Sequence, residues 1–375
     1  MNQENKKVQN LLLRYYKGEE ITLDCEVITP MFLGNADQQA EWRAAPFKAM
    51  LRYWWRVTKS DQHDLNLLRQ EEGKIFGAAG EIEKDNVGKS LLAINVSSNS
   101  SSLKNSFPQT EKIRHTECER QKFFIDPLIY LAGMGLIERG EIKHPYFPPQ
   151  APFTLFLSFP HQILEELQFV LSLVKAFGTI GARCRNGWGS FHITDDEISP
   201  PEAVKKLELC TKNWKIGFNK DFPNCLGIDD QGRLLWKTDT YPSWQNVMKQ
   251  LAEVYVKVRA ENLGPGLEKL DPGEKQNPAK GNEPKPGERH LLGIPLTKHP
   301  GPWGGGARHA SPLRFIVKRK PEGHIGFILH LPHRHSDKMK FPGVIQERGG
   351  QIKTWEKVHR KLDNLLQRAR YEDCL

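Results

Sequence analysis

The chain has 375 residues and a net charge of +9, and its 38% hydrophobic content and mean hydropathy of -0.57 are typical of soluble proteins with two or three domains. No apolar run approaches the roughly 20 residues of a membrane span, and the N-terminus lacks the apolar centre of a secretory signal, so we expect a cytoplasmic protein without membrane contact. The basic charge favours a polyanionic partner such as nucleic acid.

The six cysteines are scattered singly along the chain. No two of them stand at C-x-x-C spacing, and none has a histidine at zinc-finger spacing. The sequence therefore predicts reduced thiols, no bound metal and no cofactor.

The first half alternates strand and helix patterns. Pro46 begins a predicted helix, FKAMLRYWWRV, and apolar residues recur at helical spacing over 161–177. The short apolar run 123–131 fits either a strand or a helix. The order strand, helix, strand, strand, helix, strand predicts a ferredoxin-like domain. Its strands are predicted over 21–28, 91–96, 153–159 and 190–194.

The second half is predicted to repeat this unit. Ser243 can cap a helix, strands over 313–317 and 325–331 follow, and a last helix is predicted over 354–369. The stretch from 264 to about 288 is rich in Pro, Gly and Lys and predicts a flexible insertion. The fold class is therefore α+β, with two ferredoxin-like (RRM-like) domains in which helices back antiparallel sheets. Their predicted extents are 1–198 and 199–375.

Lys48, Arg52 and Arg56 recur every four residues along the first predicted helix. This spacing places them on one exposed stripe, with no acidic residue between them in the sequence. Such a stripe is commonly a solvated helix face. Like charges at this spacing repel one another by about a few tenths of a kcal/mol per pair, which favours an anionic partner.

A glycine-rich loop, GTIGARCRNGWGS at 178–190, follows the second predicted helix. Its glycines permit positive φ and close approach of a partner, while Arg183 and Arg185 supply forked cations. Asn186 adds an amide and Trp188 adds a stacking plane, a combination that suits a phosphate backbone with an exposed base. A tight turn with solvated arginines is the alternative interpretation.

A second glycine-rich loop, HPGPWGGGARHASPLRF, precedes the strand at 313–317. Arg308, His309 and Arg314 give it the same basic character. Two such loops, one in each half and each beside a strand, are better support for a backbone-binding surface than one.

Several motifs resemble the RAMP superfamily of CRISPR effector proteins. ITPMFLGNADQQAEWRAAPFKAMLRYWWR is similar to the opening of a subunit of type III-B (Cmr) complexes, and the loop at 178–190 is similar to that family's glycine-rich loop. LLGIPL at 291–296 and RHASPLRF at 308–315 resemble its C-terminal signature. The insertion after Gly264 matches no motif of the family.

The resemblance implies two ferredoxin-like domains in a subunit at one end of a filamentous ribonucleoprotein. Such a subunit holds guide RNA (crRNA) near its 3′ end and target RNA in antiviral defence, contacts other RAMP-type subunits and does not cut RNA. The implied RNA-binding residues are Arg43, Lys48, Arg52, Arg56, Arg183, Arg185, Asn186, Trp188, Arg308 and His309.

Two alternatives stay open. The first is a metal-independent RAMP endoribonuclease, in which His309 would act as general acid or base and His63 or His115 would be weaker candidates. Asp37 and Glu41 could bind a metal, although helix capping or pairing with Arg43 is the commoner role. The second alternative is an assembly subunit without direct RNA contact.

Overall fold

The first half of the chain folds around four long strands and two long helices. The computed structural model describes residues 18–61, 64–78, 90–99, 102–115, 123–133, 135–138, 141–195, 198–273, 286–294, 309–335 and 347–375. The elements of the first half are β1 (Gly18–Val27), α1 (Ala44–Val57), α2 (Leu65–Phe76), β2 (Ala93–Ser97), β3 (Ile113–His115), β4 (Phe123–Ile125), α3 (Pro127–Ala132), β5 (Ile137–Glu138), β6 (Glu141–Ile142), β7 (Pro152–Pro160), α4 (Leu164–Phe177) and β8 (Phe191–Asp195).

Four of these strands form one antiparallel sheet in the spatial order β2-β7-β1-β8. β1 pairs with β7 from Gly18, opposite Pro160, onwards. Alternate strand residues such as Leu23 and Leu155 are buried in one core with apolar residues of α1 and α4. This strand order, with a helix after the first and third of the four strands, is that of the ferredoxin-like fold, so the prediction for the first half is confirmed.

The second half repeats this pattern after a short three-stranded sheet. Its elements are α5 (Pro200–Leu209), β9 (Thr211–Asn213), α6 (Trp214–Gly217), β10 (Leu226–Asp229), β11 (Gly232–Arg233), β12 (Leu235–Tyr241), α7 (Trp244–Ala260), β13 (Leu313–Lys320), β14 (Gly323–His330), α8 (Arg348–Leu365) and β15 (Gln367–Arg368).

The second four-stranded sheet has the order β13-β14-β12-β15 and is also antiparallel. Ser243 Oγ accepts a hydrogen bond from the Asn246 N–H and caps α7 as predicted. Val247 of α7 and Trp355 of α8 share a core with Phe315 of the sheet. The order and connections again match the ferredoxin-like fold, so the predicted second unit is confirmed.

The two units are joined where the glycine-rich loop at 178–190 meets β13. Phe315 N donates to Arg185 O at 2.8 Å, and Val317 N donates to Ser190 Oγ at 3.0 Å. Leu207 of α5 lies beyond the boundary predicted at 198–199, and it is buried in a cluster that contains residues of both four-stranded sheets. That boundary stays a prediction.

Three segments differ from the sequence-based expectation. The last helix spans Arg348–Leu365 rather than the predicted 354–369, and the ambiguous run 123–131 holds both β4 and most of α3. In the predicted insertion Leu270 is fully buried and its N–H donates to Arg259 O, so this end of the stretch is packed. Residues 274–285 lie outside the described residues. Among the described helices, none has the length and apolar composition needed to cross a membrane.

Candidate nucleic-acid interface

The predicted basic stripe on α1 is partly neutralised by a carboxylate from α2. Arg56 donates from Nε and Nη2 to the two carboxylate oxygens of Glu72, each at 2.7 Å, and Arg52 Nε donates to the same carboxylate. The Glu72 side chain is 7% exposed, whereas the arginine side chains are each 38% exposed. Burial alone would raise the pKa of Glu72, but the hydrogen bonds and charges of Arg56 and Arg52 outweigh it and lower that pKa. No acid lies between these residues in the sequence, and the structure supplies one from a second helix.

The N-terminal end of the stripe keeps its positive charge at the surface. Arg43 is exposed at the residue before α1, and Lys48 is half-buried one turn into the helix. Burial, followed by the charge of Arg52, lowers the pKa of Lys48. Lys48, Arg52 and Arg56 of α1 outnumber the one carboxylate of Glu72, which pairs with the two arginines, so this group of side chains retains net positive charge.

The glycines of the loop at 178–190 allow close packing within the protein itself. Gly189 has φ of +63°, and a Cβ there would lie 1.8 Å from Ile180 O. Gly181 has φ of +93°, and a Cβ there would lie 2.5 Å from Phe32 O. These close approaches account for both glycines without an external partner.

The Trp188 ring is fully buried and takes no part in a surface. It stacks on Phe107 with ring centroids 4.7 Å apart and an interplanar angle of 12°, and it meets Phe32 edge-on at 5.7 Å. A base cannot stack on Trp188 while this packing persists. The structure therefore corrects the expectation of an exposed stacking plane.

Two other loop residues lie at the C-terminal end of α3. Asn186 Nδ2 donates to Leu131 O at 2.8 Å. Arg183 is exposed, has φ of +58°, and lies with its guanidinium beside the backbone of Gly133 and Gly135. The last carbonyls of a helix lack partners within the helix, so the Asn186 amide stabilises the end of α3.

Arg185 lies at the junction of the two units, together with Arg314 of β13. Arg185 Nη1 donates to Ser311 O at 2.8 Å, and its Cζ lies 5.5 Å from the Tyr53 ring centroid. The Cζ of Arg314 lies 4.8 Å from the same centroid and 5.3 Å from that of Trp54. The structure thus brings Arg185 and the α1 face together, with both guanidinium groups close to the Tyr53 ring.

His309 is buried in a cluster of imidazoles. Its ring lies 3.8 Å from that of His335 and 5.4 Å from that of His333, measured between centroids. Burial, then the neighbouring His335, His333 and Arg185, lowers the pKa of His309 far below its usual value. A buried, neutral imidazole at neutral pH is poorly suited to act as a general acid, which disfavours the role considered for it in an endoribonuclease.

Five further residues were predicted to bind RNA, to act in catalysis or to bind a metal. Two of them, Arg308 and His63, lie outside the described residues. His115 packs edge-on against Tyr130 with centroids 5.6 Å apart, and Asp37 and Glu41 are exposed in the turn before α1. Within the described ranges, no group of three or more His, Cys, Asp or Glu side chains is arranged to hold a metal ion.

Residues 24–192 match the sequence model of the RAMP superfamily. This part of the chain is therefore similar to proteins of the RAMP superfamily. The α1 stripe and the first glycine-rich loop lie inside this RAMP region, whereas His309 and Arg314 lie outside it. The resemblance inferred from the motifs is confirmed for this region.

The chain is also similar to subunits of Cmr complexes. The CRISPR system Cmr subunit Cmr1-1 of Pyrococcus furiosus is 25% identical over 206 residues, 54% of this chain and 54% of that protein. The chain thus spans about half the length of the curated relative that it matches. The crystal structure of apo Cmr1 from Pyrococcus furiosus is 18% identical, with a TM-score of 0.45 over 87% of this chain and 92% of that chain. A chain of the type III-B Cmr-beta complex bound to cognate target RNA is 12% identical, with a TM-score of 0.44 over 91% of this chain and 100% of that chain.

Sequence reasoning missed two residues that shape the surface of the RAMP region. Glu72 neutralises part of the stripe, and the Tyr53 ring lies close to both Arg185 and Arg314. The helical period could have placed Tyr53 beside Arg52, but nothing in the sequence spacing pairs Glu72 with α1.

Proposed function

We propose that the chain is a non-catalytic, RNA-binding subunit of a type III-B CRISPR effector complex. In this role it holds guide RNA near its 3′ end, together with target RNA, and contacts other RAMP-type subunits in the cytoplasm as part of antiviral defence. The similarity to the Cmr1-1 subunit supports the complex. The observation that carries RNA contact is the positive surface of α1 and the turn before it, formed by Arg43, Lys48, Arg52 and Arg56.

The chemistry of this surface suits a holding role. In an RNA-guided complex base pairing reads the sequence, and the protein holds the backbone and its shape. Exposed and half-exposed cations on a rigid helix meet that need, since phosphate contacts position RNA without reading bases. Arg52 and Arg56 are held in place by Glu72, which orders their guanidinium groups at the surface.

The first experiment measures binding of a labelled single-stranded RNA by fluorescence anisotropy over a range of salt concentrations. The test variants are Arg43→Ala and Lys48→Ala, because neither residue is part of the Glu72 ion pairs. The matched control is Lys205→Ala, an exposed lysine on α5. Removing one cation that binds a phosphate should reduce the slope of log affinity against log salt by about 0.7 for single-stranded RNA.

Three outcomes decide among the candidate roles. Weaker binding with a smaller slope in the test variants, and wild-type behaviour in Lys205→Ala, supports the holding role. Equal binding in all variants removes the α1 surface from the interface. Absence of binding by the wild-type chain leaves the assembly subunit as the better hypothesis. The same samples on a denaturing gel, with and without divalent metal, test the endoribonuclease alternative through cleavage that His309→Ala abolishes.

A further inference from the structure

Arg314 is a buried cation at the junction of the two ferredoxin-like units. The residue is 5% exposed. Its Nη1 donates to Thr179 Oγ1, which fixes the direction of the guanidinium, while its buried Nε has no hydrogen-bond partner among the described residues. The described part of the chain also gives Arg314 no ion pair.

A buried charge of this kind is unusual. Buried ionised groups are normally paired, and an arginine cannot escape the cost of burial by losing its proton. The rings of Tyr53 and Trp54 stabilise the cation through its face, but they leave the in-plane Nε–H without an acceptor. The guanidinium is therefore pre-positioned for an acceptor that carries negative charge.

A second cation lies on the same aromatic ring. Arg185 is half-buried, contacts Tyr53, and donates one hydrogen bond to Ser311 O. The imidazoles beside it, His309 and His333, are neutral at neutral pH because burial lowers the pKa of each, in the case of His333 to about 4. These imidazoles therefore add no charge beside the guanidinium.

We propose that Tyr53, Arg185 and Arg314, called here the junction site, bind one phosphate group. A guanidinium fork matches phosphate oxygens with two parallel hydrogen bonds, and two such forks on one ring form a compact anion site. The inference rests on the proposed function in one respect, the origin of the phosphate. We take this phosphate to be one unit of an RNA backbone that passes from the α1 surface to the junction of the two units. Free inorganic phosphate shares this chemistry, and the experiment separates the two sources.

The test uses the full-length chain labelled with ¹⁵N-arginine. The Nε–H signal of Arg314 is assigned by its loss in Arg314→Lys and followed during titration with inorganic phosphate, and separately with a single-stranded RNA, at constant ionic strength. The matched internal control is Arg319, an exposed residue of the same strand that pairs with Glu26. We expect both titrants to move the Arg314 signal, RNA at the lower concentration, and neither to move that of Arg319.

Thermal denaturation supplies a second readout, which needs no isotope label. Phosphate should raise the Tm of the wild-type chain above its value in chloride of equal ionic strength, and Arg314→Lys should reduce that rise. In the anisotropy assay Arg314→Gln, which removes the positive charge that Arg314→Lys keeps, should lower the salt slope by about 0.7. The controls Arg319→Lys and Arg319→Gln should leave the rise in Tm and the salt slope, respectively, unchanged.

The outcomes separate this inference from the proposed function. An Arg314 signal that neither phosphate nor RNA moves, with normal RNA binding, overturns the junction site and leaves the RNA-binding role standing. If inorganic phosphate moves the Arg314 signal and RNA binds without moving it, the junction site does not hold a phosphate of the RNA backbone. Movement with phosphate in a chain that binds no RNA supports the anion site and overturns the proposed function.

Discussion

Arg56 and Glu72 form a two-pronged ion pair that fastens α1 to α2, with both N–O distances at 2.7 Å. The pair gives the basic surface of α1 a fixed geometry, and it shares its carboxylate with Arg52. Because the one buried carboxylate of Glu72 pairs with both Arg52 and Arg56, the surface of α1 keeps a net positive charge. Stability and RNA affinity should therefore respond in different ways to a change at Glu72.

We expect Glu72→Gln to lower the free energy of unfolding by about 1–3 kcal/mol, because it leaves two guanidinium groups without their charged acceptor. The lower part of that range reflects solvent screening, since both arginine side chains are 38% exposed. Urea denaturation measures the loss. RNA affinity should stay equal or rise, since the negative charge beside Arg52 and Arg56 is removed. Glu71→Gln, on the same helix and 3.8 Å from Lys59, is the control and should change stability little. Equal stability of the two variants would show that the Glu72 pair is not structural.

The buried histidines predict a chain that loses stability in mild acid. Burial lowers the folded-state pKa of His333 from 6.5 to about 4 and that of His335 from 6.5 to about 3. Below pH 6.5 the unfolded chain binds protons that the folded chain does not, so stability falls as the pH drops from 6.5 towards 4, and above 6.5 this contribution is constant. Each such histidine contributes a slope of up to about 1.4 kcal/mol per pH unit.

Thermal melts between pH 7.5 and 4.5 measure this dependence. His333→Gln should flatten the profile, since glutamine does not titrate. His161→Gln is the control, because that imidazole is 70% exposed and contacts Glu19 at the surface. An unchanged profile in His333→Gln would mean that the acid sensitivity arises elsewhere.

The two ferredoxin-like units could be predicted because their strands and helices have strong local periods, as in β1 and α4. The site could be predicted less well, because its geometry depends on packing between distant segments. The glycine-rich neighbours of Trp188 predict an exposed ring, yet Phe107, 81 positions away in the sequence, covers it. Likewise, the stripe at Lys48 is visible as a four-residue period, but the pairing of α1 with Glu72 requires the packing of a second helix.

Trp188→Ala tests the packing role of that ring. Removal of a fully buried tryptophan side chain should lower the free energy of unfolding by about 3–5 kcal/mol, since it leaves a cavity and takes away the aromatic packing around it. Phe156→Ala, on the 40% exposed ring of β7, is the control and should change it by about 0.5 kcal/mol or less. Chemical denaturation compares the two. A folded Trp188→Ala chain with full stability but weaker RNA binding would restore the stacking role.

Gly189→Ala tests whether the glycine-rich loop is shaped by internal packing. The added Cβ would lie 1.8 Å from Ile180 O, in a backbone region with φ of +63°, so the loop must move and its link to β13 through Ser190 must weaken. We expect a loss of at least about 3 kcal/mol in the free energy of unfolding, or failure to fold. Gly349→Ala, in α8, meets nothing within 4 Å and should be neutral or stabilise by up to about 1 kcal/mol. Wild-type stability in Gly189→Ala, combined with a loss of RNA binding, would instead mean that the glycine serves close approach of the RNA backbone.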